Sequence, residues 1–200
     1  MKMLVLGSTS PYRKTLMESL MIPFSCKKPL CDEDKFKDQE KDPVKLASLL
    51  ARKKAESLVM ADQIIIGGDQ LVSFQGKILG KPQTFEKALQ QLSEMQGETH
   101  ELITAVCVAL MESSQNKAIQ LVEFVDITKI TLKVLSPKQI STYLNEDQPW
   151  DCAGSYKIEK HGMSLIQEIE TKDFSAIQGL PLLRLSQVLH NLGYEIPKSK

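Results

Sequence analysis

Asp69 ends the run Asp62-Gln63-Ile64-Ile65-Ile66-Gly67-Gly68, whose β-branched residues predict a buried strand closed by two glycines. Ligands bind at strand ends in open α/β sheets, and an acid there can serve as metal ligand, as base, or as both. The glycines allow close backbone approach, and a plain turn acid is the alternative. Lys54 is the second anomaly. Between Asp42-Pro43 and about Met60 a helix is predicted, with Val44, Ala47, Leu50, Ala51, Ala55 and Leu58 on one face. Lys54 falls in the middle of that face, where an ammonium is costly unless an anion meets it or its stem carries the charge out to water. Lys81, in Gly80-Lys81-Pro82, adds a cation near the same strand end.

A third cluster opens the chain. Leu4-Val5-Leu6-Gly7 breaks into Ser8-Thr9-Ser10-Pro11-Tyr12-Arg13-Lys14, a strand, a turn and a helix start. Ser10 suits the N-cap and Pro11 the first helical position, so the N–H groups of the first turn face Ser8 and Thr9. Such an end, with Arg13 beside it, can hold a phosphate or can simply be a capped helix. It is not a Walker A loop, because the Gly-Lys-Ser/Thr ending is missing. Asp32-Glu33-Asp34 begins a polar connection that runs to Lys41; it is either solvated surface or, if folded back on the first turn, a source of Glu33 as ligand to a divalent metal.

The elements that must position these groups follow from patterning. Strand and helix alternate at first: helix Pro11 to Met21, strand Phe24 to Leu30, the Lys54 helix, the Asp69 strand, then a hairpin of Leu71 to Phe74 and Lys77 to Leu79 around Gln75-Gly76. Thr84 caps a helix that ends at Gln96-Gly97. Strands Glu101 to Met111 and Ala118 to Leu135 follow as an antiparallel hairpin about the polar 112–117 segment. Ser136-Pro137 opens a short helix, Asn145 to Pro149 a loop, and Ser164 to Ile169 a strand. Asp173 to Pro181 leads into a last helix closed by Gly193. The Trp150 to Glu159 stretch mixes aromatic, small and charged residues as functional loops do.

The sequence has 200 residues, with 25 Lys plus Arg against 25 Asp plus Glu, so no global field favours nucleic acid or an anionic membrane. No apolar run approaches the roughly 18 residues of a membrane span, and the expectation is a soluble cytoplasmic protein of one domain, 1–200. The four cysteines, Cys26, Cys31, Cys107 and Cys152, form no C-x-x-C pair; with three histidines beside them they predict incidental thiols rather than a zinc site.

Together these motifs resemble the Maf family of nucleoside triphosphate pyrophosphatases. Ser8, Ser10, Pro11 and Arg13 resemble its Ser-x-Ser-Pro-x-Arg turn, Asp32-Glu33 its acidic element, and Ala51-Arg52-Lys53-Lys54-Ala55 its lysine helix. Gly68-Asp69-Gln70, Gly80-Lys81-Pro82 and Gly179-Leu180-Pro181 resemble its later elements, while Ala105 departs from the Gly that commonly follows Thr. The resemblance implies an α/β fold of Maf/ITPase-like type: an elongated mixed sheet flanked by helices, with two lobes around a central cleft. It implies a divalent metal, Mg or Mn, held by Glu33 and Asp69, with Asp69 activating water and Ser8, Arg13, Lys54 and Lys81 binding the triphosphate. The partner implied is a nucleoside triphosphate, with no nucleic acid and no membrane, and with a homodimer left open.

Tyr12, Gln70 and Glu159 occupy positions where dTTP/UTP enzymes of the family look like Arg, Thr and Gln. With Cys152-Ala153-Gly154-Ser155-Tyr156-Lys157, this pattern resembles the 7-methyl-GTP branch. Tyr12 would stack on the cationic methylated base and Glu159 would accept from guanine N1 and N2. A dTTP/UTP pyrophosphatase, or a non-catalytic nucleotide-binding regulator linked to septum formation, is the alternative.

Overall fold

The structure, a computed structural model, describes residues 2–111 and 119–197. Its strands are β1 (Met3–Gly7), β2 (Phe24–Cys26), β3 (Gln63–Phe74), β4 (Lys77–Leu79), β5 (Thr99–Met111), β6 (Ile119–Leu132) and β7 (Ile166–Glu170). Its helices are α1 (Pro11–Glu18), α2 (Asp34–Lys37), α3 (Pro43–Glu56), α4 (Phe85–Met95), α5 (Pro137–Asp147) and α6 (Leu182–Asn191), with 3-10 turns at Ala153–Ser155, His161–Leu165 and Phe174–Gln178. The strands form one seven-stranded sheet in the order β2-β1-β3-β5-β6-β7, with β4 on β3. β1 runs parallel to β2 and β3, whereas β4 and β7 run antiparallel to β3 and β6, so the α/β sheet is mixed as expected.

The chain divides into two compact units, Met1–Gln70 with Thr104–Asp126 and Asp173–Lys200, and Leu71–Ile103 with Ile127–Lys172. In the first unit the pleat sorts the side chains. Leu4 and Leu6, Ile64 and Ile66, Val106 and Val108 share one face and pack with Met17 of α1 and Leu185 and Leu189 of α6 in a single cluster. The opposite face belongs to α3. An added Cβ at Gly67 would lie 2.4 Å from the Ala51 carbonyl oxygen and 2.7 Å from the Ala55 nitrogen, so the helix rests directly on the strand. α3 starts where predicted, because Asp42 accepts from the Val44 and Lys45 N–H groups and Pro43 needs no donor.

Several boundaries differ from the sequence expectation. The Asp69 strand does not end at Gly67-Gly68: β3 is continuous to Phe74, because its edge partner changes. β1 pairs with residues up to Gly67 and β4 pairs from Val72 onward, leaving Asp69 in the interval. α1 stops at Glu18, short of Met21, whose φ of 56° is incompatible with a continuing right-handed helix. β2 stops at Cys26, well before Leu30, since β1 offers it partners only from Leu4 to Leu6. The polar stretch after Asp32 contains α2, and α3 ends at Glu56, where the Ser57 hydroxyl takes the Lys54 carbonyl.

In the second unit Thr84 caps α4 by accepting from the Lys87 N–H, and Ser136 and Gln139 form a reciprocal capping box on α5. The Thr99 and Thr131 hydroxyls meet at 2.8 Å, which brings the start of β5 beside the end of β6 as an antiparallel hairpin requires. The polar 112–117 segment expected between them lies outside the described residues. Asn145 to Asp147 are helical rather than loop; the Asp147 carboxylate is buried and accepts from the His161 N–H and Nδ1, and Gln148 ends the helix at φ 46°. Ser164 and Leu165 belong to a 3-10 turn, so β7 begins only at Ile166.

His100 is buried in this unit, with Nε2 2.8 Å from the Tyr156 hydroxyl and Nδ1 without a partner among the described residues. Burial pushes its pKa down to about 4 from 6.5. The unfolded chain therefore takes up a proton below about pH 6.5 that the folded chain refuses until about pH 4. The stability from neutral His100 is complete above pH 6.5, falls on acidification, and has lost about 3 kcal/mol by pH 4. Urea midpoints of wild type and His100→Gln at pH 7.5, 5.5 and 4 test this. The wild type should lose more stability than the variant over this range, and parallel pH profiles would refute it.

Candidate active site

The end of β1 and the interval in β3 come together through register. Gly7 pairs with Gly67, so the turn at Ser8 leaves the sheet beside Gly68 and Asp69. Ser8 is buried and its hydroxyl accepts from the Ser10 N–H at 3.1 Å, which fixes the turn. The Ser10 hydroxyl in turn accepts from the Arg13 N–H as the N-cap of α1. Tyr12 is exposed on that helix.

Pleat alternation gives the two faces of β3 different tasks. Gly68 and Gln70 look toward α1 and the Phe174–Gln178 turn. The Arg13 guanidinium spans the two, donating from Nη1 to the Gly68 carbonyl and from Nε to the Gly179 carbonyl, both at 2.9 Å. Gly179 has φ 97°, and a Cβ there would lie 3.1 Å from Arg13 Nε, so glycine suits both the turn and the approach. Two of five guanidinium N–H groups are thus used for orientation. Gln70 Nε2 donates to the Thr104 hydroxyl and to the carbonyls of Ala176 and Ile177 at 2.9, 2.9 and 3.1 Å, and Thr104 itself donates to Ala176. The Gln70 amide therefore fastens the turn that supplies Gly179. Sequence patterning marks Gly179 but gives no signal for Thr104 or for the Ala176 and Ile177 carbonyls, because their relation to Gln70 exists only after distant segments fold together.

Gly67 and Asp69 look toward α3. With the helix seated on Gly67, Lys54 lies over Asp69: Nζ is 2.6 Å from Asp69 Oδ1 and 3.1 Å from Glu33 Oε2. The Lys54 and Asp69 side chains are each only 9% accessible, whereas Glu33 is 42% accessible. The anion that meets the misplaced lysine is the chain's own acid pair. Burial pushes the Asp69 carboxyl above the ordinary carboxylate range, and Lys54 and Arg13 pull it back. Asp69 Oδ2 is buried with no hydrogen-bond partner among the described residues. Two carboxylates, one with an unused oxygen, suit a hard cation that completes its shell with water and phosphate. Among the described residues no group of three or more His, Cys, Asp and Glu is placed to hold a metal by itself.

Ser8, Tyr12, Arg13, Glu33, Lys54, Asp69 and Gln70 all belong to the first unit, and Lys81 and Glu159 to the second, where both are exposed. Cys152 is no thiolate nucleophile at neutral pH, since burial pushes its thiol up to about 11.

A sequence profile described as Maf-like protein matches residues 3–192. The 7-methyl-GTP pyrophosphatase of Bdellovibrio bacteriovorus is 50% identical over 190 residues, covering 95% of this chain and 97% of the relative. That of Colwellia psychrerythraea is 39% identical over 197 residues, covering 98% and 96%. The solved Ham1 protein of Staphylococcus aureus aligns over 94% of this chain and 100% of its own, at 11% identity and a TM-score of 0.47. With the profile spanning nearly the whole length and both pyrophosphatases matching end to end, the chain belongs to the Maf family.

Proposed function

We propose that this protein hydrolyses 7-methyl-GTP to 7-methyl-GMP and pyrophosphate, with residues 1–200 acting as one catalytic domain in the cytoplasm on free nucleotides. The observation that carries the chemistry is the buried Asp69 carboxylate, paired with a lysine that also holds Glu33, beside the oriented Arg13. The substrate rests on relatives up to 50% identical that are named for hydrolysis of 7-methyl-GTP.

A water oxygen attacks the α-phosphorus, the bond from that phosphorus to the α,β-bridging oxygen breaks, and pyrophosphate leaves. Asp69 takes the proton of the attacking water. Burial makes it a stronger base than a solvated carboxylate, and the positive charges gathered around it favour its ionised form. Arg13, whose guanidinium is already oriented by two carbonyls, meets charge growing on the leaving group without reorganising. Ser8 and Lys81 add a hydroxyl and a second cation for the phosphates. Glu33 and Asp69 would hold a divalent cation, Mg or Mn, which when bound supplies Lewis-acid polarisation of the phosphoryl oxygens. Tyr12 and Glu159 are assigned to the base, and Gln70 tunes specificity through the turn it fastens.

Pyrophosphate release from 7-methyl-GTP against dTTP, UTP and CTP, with GTP as the unmethylated control, tests the assignment. The kcat/KM for 7-methyl-GTP should exceed the others by about tenfold or more. Tyr12→Ala should narrow its preference over GTP by no more than about thirtyfold, the limit for one stacked cation. A wild type that favours dTTP and UTP would overturn the substrate.

A further inference from the structure

Lys54 stands where two carboxylates converge, on a helix face otherwise made of Ala47, Leu50, Ala51 and Ala55, all buried. Nothing in the packing of α3 requires a cation there. The acids do. Asp69 and Glu33 both lie within 3.1 Å of one ammonium, and two anions gathered around one point repel unless a positive charge sits between them. A chain that must fold before any metal reaches it needs that charge from within.

We propose that Lys54 is an internal stand-in for the divalent cation: it holds the acid pair together until metal enters, and is then displaced toward the phosphates. This rests on the metal assignment made above. An ion that took the same two oxygens as the ammonium would compete with it for the gap. An ammonium lies 2.6 and 3.1 Å from its two oxygens, whereas Mg2+ takes carboxylate oxygens at about 2.0–2.1 Å. An ion sharing those two oxygens would face the Lys54 ammonium across the same narrow gap, a charge of the same sign at close range. Of the two partners, Glu33 is the open side of the gap, so it marks the way out for the four-carbon lysine stem. Asp69 stays behind, its unused Oδ2 available to the incoming ion. The released ammonium is then free to meet an anion, so metal entry turns an internal ion pair into a phosphate-binding cation. One residue thus serves first the empty protein and then the substrate complex.

The test uses the full chain without nucleotide and Mn2+ as the probe. Bound Mn2+ is counted by water-proton relaxation while lysines are pulse-acetylated and quantified by mass spectrometry, with exposed Lys77 and Lys87 as references. Metal-free protein should acetylate Lys54 slowly, and saturating Mn2+ should speed it at least tenfold with the references unchanged. Lys54→Met, which keeps an unbranched stem without the charge, should bind Mn2+ at least tenfold more tightly than wild type; Lys54→Gln replaces it if that variant does not fold. A wild type too weak to bind Mn2+ measurably, beside a variant that binds it, also supports the exchange. Bound Mn2+ with Lys54 still protected overturns the proposal and makes the pair a permanent one. Absence of Mn2+ binding in wild type and in the folded variant overturns it too. Pyrophosphate release from 7-methyl-GTP is measured on the same protein: no turnover with a tenfold acetylation response refutes the activity and not the exchange, and turnover with a protected Lys54 does the reverse.

Discussion

Asp69→Asn should lower kcat for pyrophosphate release about a thousandfold while changing KM only severalfold. The amide keeps the size of the carboxylate and still offers an oxygen to Lys54, but it cannot accept the proton of the attacking water. A positioned general base contributes about a hundredfold to ten-thousandfold, and this one is also a proposed metal ligand, which places the loss within that range. KM should hold because Arg13 keeps both of its carbonyl partners, neither of which involves the Asp69 side chain. Folding should survive as well. Burial already disfavours the Asp69 charge, so removing it relieves a desolvation cost as Lys54 loses one of its two acids. Single-turnover and steady-state release by wild type and variant, with melting curves alongside, give the comparison. A variant that releases pyrophosphate at near wild-type rates would remove Asp69 from the role of base and leave only its contact with Lys54.

Why Asp69 was legible from sequence, and Gln70 next to it much less so, comes down to range. Asp69 and Lys54 each break a local pattern: an acid after an apolar run, a cation on an apolar face. Their pairing needs only that α3 cover the next strand, which alternation of strand and helix already implies. The same holds for caps, where Asp42, Thr84 and Ser136 do their work within three residues of themselves. The Gln70 contacts to Ala176 and Ile177 cross more than half the chain, and nothing in the residues near Gln70 announces them. The glycines misled for a different reason. Gly67-Gly68 reads as a strand end because glycine weakens strands, yet here the missing side chain of Gly67 is what allows α3 to rest on an unbroken strand.

That use of Gly67 carries the second large effect. Gly67→Ala should destabilise the protein by about 3 kcal/mol, lowering the melting temperature by roughly 6–12 °C for a chain of this size. The new methyl group would lie 2.4 Å from the Ala51 carbonyl oxygen, 2.7 Å from the Ala55 nitrogen and 2.9 Å from the Ala55 Cβ. Two of these three are backbone atoms, which no rotamer change can move, so α3 itself must lift from the sheet. Ala55→Gly in the same chain removes only the Cβ contact and should therefore restore little of the loss. Gly80→Ala, where an added Cβ meets nothing within 4 Å, should melt close to wild type and shows that the penalty belongs to the site rather than to the substitution. Lifting α3 also shifts the backbone that carries Lys54 away from the whole site, its acids and its phosphates alike, so the protein that remains folded should lose activity as well. If Gly67→Ala melted with wild type, the helix would have room to spare over the strand, and the close seating that sets Lys54 against Asp69 would no longer explain their 2.6 Å contact.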